Sequence, residues 1–147
     1  MYLAAKKEGC WKYSNEKGWE RLCVSNCDFN NLTLMVSRNH GCLTGQKIHE
    51  KLCGKAMKAH GGVGLKLMVI AEQKADYYIN NSNKTKAWDS AAPEILFKEA
   101  GGFITDLQGN PFSYDPADYK HKHGLAASCS KELHEKVIKL AKEMEKE

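Results

Sequence analysis

The chain has 147 residues, 27% charged and 42% hydrophobic, with 12 glycines and 3 prolines, the make-up of one globular domain and neither a fibrous nor a disordered segment. No run approaches the ~20 apolar residues of a membrane helix, and the opening MYLAAKKEGCW lacks the apolar stretch of a secretory signal, so a soluble cytoplasmic protein with no membrane partner is expected. Lys and Arg number 22 against 18 Asp and Glu, a formal net charge of +4; this is too small and too dispersed for a nucleic-acid polymer but favours a small anion such as a phosphate.

The six cysteines, Cys10, Cys23, Cys27, Cys42, Cys53 and Cys129, could pair as disulfides, yet a chain of this size buries a core without staples and free thiols are expected. Cys23, Cys27, His40 and Cys42 offer zinc-competent side chains, but C-x3-C followed by H-x-C is a poor ligand spacing.

Taken in order, Tyr2 to Asn31 mixes aromatics with Gly and Asn and reads as turns and short strands. NLTLMVSR, Asn31 to Arg38, is apolar and partly β-branched, a largely buried strand whose polar end SRNHG can face a ligand. Leu43 to Cys53 makes a short amphipathic helix with Leu43, Ile48, Leu52 and Cys53 on its inner side. Lys55 to His60 is a short strand. In GGVGLKLMVIAEQKADYYI the apolar run is short enough to be helix or strand by composition alone; if Gly61 to Gly64 open a helix, their N–H groups make a small anion site at its positive end, and ADYYI follows as a strand.

Asp89 to Ala100 reads as a helix with Asp89 at the N-cap, Pro93 near the first turn, Ile95, Leu96 and Ala100 inward, and Gly101-Gly102 as the stop. FITDL and PFSY are expected to flank the Gln108-Gly109-Asn110 turn as a hairpin, with GLAAS a further strand. Ser130 starts a last helix that buries Leu133, Val137, Leu140, Ala141 and Met144, with Glu132–Lys136 and Glu135–Lys139 as i,i+4 pairs outside. Strands alternating with helices point to a layered α/β domain over residues 1–147.

Asp89 is the carboxylate most suited to chemistry, because the helix dipole favours its ionised form at a loop-to-helix junction; an ionised, projecting carboxylate suits Mg²⁺, although the same position also serves as a plain cap. Gly61, Gly62, Gly64 and Lys66 would supply amides and a cation to phosphate oxygens, with the Ser37 to His40 loop adding a hydroxyl, a guanidinium and an imidazole. Read alone, such glycines more often make a tight turn or close packing, and Lys66 is more often a solvated side chain. Asp115-Pro116-Ala117-Asp118 reads as a surface turn, since a bulky tyrosine follows where a metal turn wants glycine. His121 and His123 read as exposed loop residues without a role.

The segment KAWDSAAPEILFKEAGGFITDLQGNPF resembles the W-D-x-A-A-P-E-x-I-L-x-E-A-G-G-x-x-T-D-L-x-G-x-P-F signature of the Mg²⁺-dependent, lithium-sensitive phosphatases that include inositol monophosphatase and the 3'(2'),5'-bisphosphate nucleotidases. VSRNH is similar to the nucleotidases' S/T-R-S-H, with Asn39 in place of Ser, and GGVGLK to their G-G-A-G-x-K; both favour the nucleotidase branch, since inositol monophosphatases usually lack the lysine. The resemblance runs from about Tyr2 to the last helix and implies the C-terminal half of that fold.

Carried over, it implies that Asp89 is a Mg²⁺ ligand between metal and substrate, that Ser37 and His40 contact the nucleotide, and that Gly62 and Lys66 hold its non-reacting phosphate. The implied substrate is 3'-phosphoadenosine 5'-phosphate, with an inositol phosphate or inactive nucleotide binding as alternatives. The family's Glu-rich segment and Asp-Pro-Ile/Leu-Asp-Gly-Thr motif do not occur in these residues, so the resemblance implies a fragment or split subunit whose other metal ligands come from an N-terminal half, in cis or in trans.

Overall fold

In the computed structural model, which describes residues 1–38 and 42–145, the chain opens as an antiparallel meander of β1 (Tyr2–Ala5), β2 (Gly9–Ser14) and β3 (Gly18–Leu22). Successive side chains in a strand point to opposite faces. Cys10 therefore pairs with Leu22 on the buried face, while Trp11 pairs with Arg21 and Tyr13 with Trp19 on the outer one.

A five-stranded sheet follows, ordered β5-β4-β6-β8-β7, from β4 (Thr33–Ser37), β5 (Ala56–His60), β6 (Tyr77–Asn80), β7 (Phe103–Thr105) and β8 (Leu125–Ser128). β5 and β6 lie parallel to β4 on its two sides, and β8 runs antiparallel between β6 and β7. Four helices connect them: α1 (Leu43–Lys51), α2 (Val63–Ala71), α3 (Ala87–Glu99) and α4 (Lys131–Met144).

The chain leaves β4 to one side through α1 and returns to the other through α2. Because crossovers are right-handed, these helices fall on opposite faces: α1 packs with α4, and α2 with α3. The meander lies on the outside of α3, tied there by the Glu99 carboxylate, which accepts from the N–H of Lys7 at 2.9 Å and of Gly9 at 3.0 Å. The layers are thus meander, α2 and α3, sheet, and α1 with α4. Between them lie Leu34, Met35, Tyr77, Ile79 and Ala126 of the sheet and Ile48, Leu67, Phe97 and Val137 of the helices, all buried.

The composition left the glycine-rich run open between helix and strand; it is the helix α2, and ADYYI ends in β6. Ser130 caps α4, its Oγ accepting from Leu133 N at 3.3 Å. Other expectations need correction. Leu43 is 73% and Ile95 41% exposed, because α1 starts at Leu43 and α3 turns Ser90, Glu94 and Phe97 inward. Asp89 is not the N-cap of α3: the helix begins two residues earlier, and Asp89 reaches back from its first turn to accept from Lys86 N at 2.9 Å.

The expected hairpin does not form either. Asp106 Oδ1 captures the N–H groups of Gln108 at 2.9 Å and Asn110 at 2.8 Å, Pro111 has no N–H to pair, and β7 takes β8 as its partner. On α4 the Glu132–Lys136 pair forms at 2.9 Å, whereas Glu135 lies 3.8 Å from Lys131 in place of a pair with Lys139. All six cysteines are free thiols.

Candidate substrate cleft

In open α/β sheets a ligand crevice opens beyond the carboxyl ends of parallel strands, where the chain switches direction. Here β4 is that switch. Ser37 ends β4, Gly61 and Gly62 follow β5, and Asn80 ends β6; with the first turns of α2 and α3 they enclose a cleft of about 680 Å³. Ser37, Gly62, Lys66 and Asp89, named from separate stretches of sequence, all line it. His40 lies outside the described residues.

Lys66 is the surprise at the residue level. Its place after a glycine turn, read alone, suits a solvated side chain, yet it is only 2% exposed. Its Nζ donates to the Gly61 carbonyl and sits 4.7 Å from the centroid of the Tyr78 ring. Burial disfavours the ammonium and brings its pKa down to about 8. Two of its three donors remain for a ligand.

The glycines divide their work. Gly62 is the N-cap of α2 and nothing lies within 4 Å of where a Cβ would project, so the backbone there is open to a close ligand. The first intrahelical bond runs from Lys66 N to Gly62 O at 3.3 Å, leaving the earlier N–H groups at the positive helix end. Gly64 instead allows α2 to meet α3, since a Cβ there would stand 2.9 Å from Pro93 Cγ. Arg38 adds a guanidinium beside the turn: a Cβ on Gly61 would stand 3.2 Å from its Nη2.

The far wall is a polar loop that sequence reading missed. Asn80 donates from Nδ2 to Thr85 Oγ1 at 2.9 Å and accepts from Ser82 N at 3.0 Å. Asn81 donates to Thr44 Oγ1 at 2.7 Å, and Cys42 Sγ donates to Asn81 Oδ1 at 3.4 Å. Lys84 of this loop also lines the cleft. The signal was present in Asn80-Asn81-Ser82 directly after a buried strand.

Asp89 is the one acid among the lining residues and is exposed. A hard divalent cation takes six or more oxygens, commonly from more than one carboxylate. Among the described residues no three His, Cys, Asp or Glu gather closely enough to hold a metal ion, the Cys23, Cys27 and Cys42 set included. Asp89 therefore fits Mg²⁺ as one ligand and does not make a site by itself.

Behind Asp89, His121 corrects another expectation. It is 6% exposed, with Nε2 hydrogen-bonded to Ser90 Oγ and its ring 4.2 Å from that of Phe112; burial lowers its pKa. Tyr114 OH reaches both Ser90 and Glu94, and Glu94 pairs with Lys98. Asp115 to Asp118 is the expected surface turn, closed by Asp118 N to Asp115 O at 3.0 Å, and His123 is exposed.

The fold is a layered α/β domain whose cleft, at the ends of its parallel strands, brings together a buried lysine, a helix N-terminus and one carboxylate. The chain belongs to the inositol monophosphatase family, whose model matches residues 1–146. The rat protein named 3'(2'),5'-bisphosphate nucleotidase 1 is 43% identical over 61 residues, 42% of this chain and 20% of that protein. Its Dictyostelium discoideum namesake is 36% identical over 84 residues, 56% of this chain and 26% of that protein.

Among solved structures, the Thermotoga maritima IMPase matches at a TM-score of 0.70 and 23% identity, over 97% of this chain and 51% of that one. The extragenic suppressor protein suhB of Bartonella henselae matches at 0.71 and 20% identity, over 96% and 53%. The chain thus spans about half the length of the solved structures it matches. Among the described residues no helix is long and apolar enough to cross a membrane.

Proposed function

We propose that this chain supplies the phosphate-holding half of a Mg²⁺-dependent phosphomonoesterase acting on a 3'(2'),5'-bisphosphate nucleotide, 3'-phosphoadenosine 5'-phosphate being the substrate of choice. The observation that carries the reading is the convergence of Ser37, Gly62, Lys66 and Asp89 on one cleft, with Lys66 buried and its Nζ donating to the Gly61 carbonyl of the glycine turn. A desolvated ammonium next to helix N–H groups is a poor neighbour for anything except an anion. Relatives named as bisphosphate nucleotidases support the substrate class.

In this reading Lys66 and the amides opening α2 hold the non-reacting phosphate, and Ser37, with His40, contacts the nucleoside. Asp89 presents one carboxylate to Mg²⁺, which when bound polarises the phosphoryl group and acidifies a water. The remaining carboxylates come from polypeptide beyond these residues, in the same chain or in a partner.

The test is to titrate adenosine 3',5'-bisphosphate and inositol 1-phosphate into the chain and into Lys66→Ala by calorimetry. A charge-assisted contact is worth roughly 1.5 to 3 kcal/mol, so the bisphosphate should bind about 10- to 150-fold more weakly to the variant while the monophosphate changes little. Equal losses for both ligands would place Lys66 on the shared phosphate and favour an inositol phosphatase.

A further inference from the structure

Lys66 carries a chemistry that holding a phosphate does not use. Its side chain lines the cleft although it is almost wholly buried, and Nζ is fixed there by the Gly61 carbonyl and the Tyr78 ring. An ordinary lysine, with a pKa of about 10.4, is a neutral amine in roughly one molecule in a thousand at pH 7.4. At the value of about 8 that burial gives Lys66, the neutral fraction is roughly one in five. Only the neutral amine has a lone pair that attacks carbon, and desolvated lysines are the ones that form Schiff bases with carbonyl compounds.

The surroundings select which carbonyl compound reaches it. Gly61, whose carbonyl holds Nζ, directly precedes Gly62, the N-cap of α2, so the amine stands beside the N–H groups at the positive end of that helix. The space over Gly62 is open. The other charged or titratable groups around the turn are Arg38 beside Gly61, His60, whose Nδ1 accepts from Gly61 N at 2.9 Å, Lys84 and Asp89. Asp89 is the one carboxylate among the residues lining the cleft. A small molecule with a phosphate at one end and a carbonyl at the other is therefore held at both ends, whereas an uncharged carbonyl compound is held at one.

We propose that the cleft captures phosphorylated aldehydes covalently and reversibly, with their phosphate on the amides that open α2 and their carbonyl carbon at Lys66 Nζ. The nitrogen lone pair adds to the carbonyl carbon and gives a carbinolamine. Both hydrogens of the neutral amine then leave with the carbonyl oxygen as water, and a C=N bond remains. No oxidant or second reactant is consumed, and water reverses the step. The adduct occupies the place of the nucleotide's non-reacting phosphate, so it blocks the bisphosphate while it lasts. The inference rests on the reading that the cleft holds phosphates, and its test separates the two.

Pyridoxal 5'-phosphate and its phosphate-free counterpart pyridoxal are incubated with the full chain, the imine is fixed with borohydride, and the modified lysine is located by peptide mass mapping. Pyrophosphate binding is measured alongside by calorimetry. At limiting reagent the adduct should map to Lys66, and pyridoxal should need about 10- to 150-fold more reagent for the same extent, the range for loss of one charge-assisted contact. Pyrophosphate should protect Lys66, and Lys66→Met should lose the adduct. If pyrophosphate binds but the adduct spreads over other lysines or avoids Lys66, or if pyridoxal serves equally well, the capture is overturned and the cleft reading stands. Failure of pyrophosphate to bind or to protect overturns both. The mapping and protection are done on the unaltered chain, so the result does not depend on the variant folding.

Discussion

Burial of the Lys66 ammonium carries a cost that a bound anion, or the loss of its proton, would relieve. In the unfolded chain its ammonium holds its proton to about pH 10.5, whereas in the fold it gives it up near pH 8. The unfolded state therefore binds more protons between those values, and stability rises with pH across that window, by an amount on the order of 3 kcal/mol. Lys66→Met, similar in length and uncharged, should accordingly resist urea better than the parent at pH 7. The advantage should shrink as pH climbs from 8 to 10.5 and should be smaller at pH 7 when a saturating bisphosphate is present, which urea titrations at a series of pH values would measure. The lysine's position was legible from the glycine turn before it. Its burial was not, because that depends on Tyr78, twelve residues on and in strand β6, packing against the ammonium.

At the scale of elements, α2 and α3 both line the cleft, and they meet closely where Gly64 faces Pro93. Gly64→Ala should cost roughly 1 to 3 kcal/mol by overpacking and lower the melting temperature, while Gly62→Ala, with open space around its Cβ, should melt within about 0.5 kcal/mol of the parent, as surface changes usually do, yet bind pyrophosphate more weakly because a methyl group now meets the ligand. Thermal melts and calorimetry on the two variants separate these effects. Elements defined by their own periodicity or caps were readable, as with α4 behind Ser130 and β4 in NLTLMVS. Misjudged ones were decided by a distant partner. Ile95 looked inward, but α3 packs against α2 and the meander with Ser90, Glu94 and Phe97 turned in, and His121 looked like a loop residue because nothing nearby announces that Ser90 receives it.

For the molecule as a whole, one carboxylate in the cleft sets a ceiling on what the chain does alone. With Mg²⁺ and 3'-phosphoadenosine 5'-phosphate it should turn over far below the ~1 s⁻¹ of an ordinary enzyme, while still binding the nucleotide; in an enzyme that also carries the remaining ligands, Asp89→Asn should abolish hydrolysis and barely shift the melting temperature. Phosphate release and binding measured side by side would check this, and brisk turnover by the chain alone would overturn the division into halves. The alternation of strands and helices made the layered α/β class legible, but strand order was not, since it requires β8 to enter between β6 and β7. That late insertion governs how the chain comes together during synthesis. β6 and β7 are both synthesised before the strand that joins them, and the pairing of their facing edges needs residues 125–128. The sheet is therefore completed from the middle by the last of its strands in chain order, and a chain cut before Leu125 should leave the facing edges of β6 and β7 unpaired.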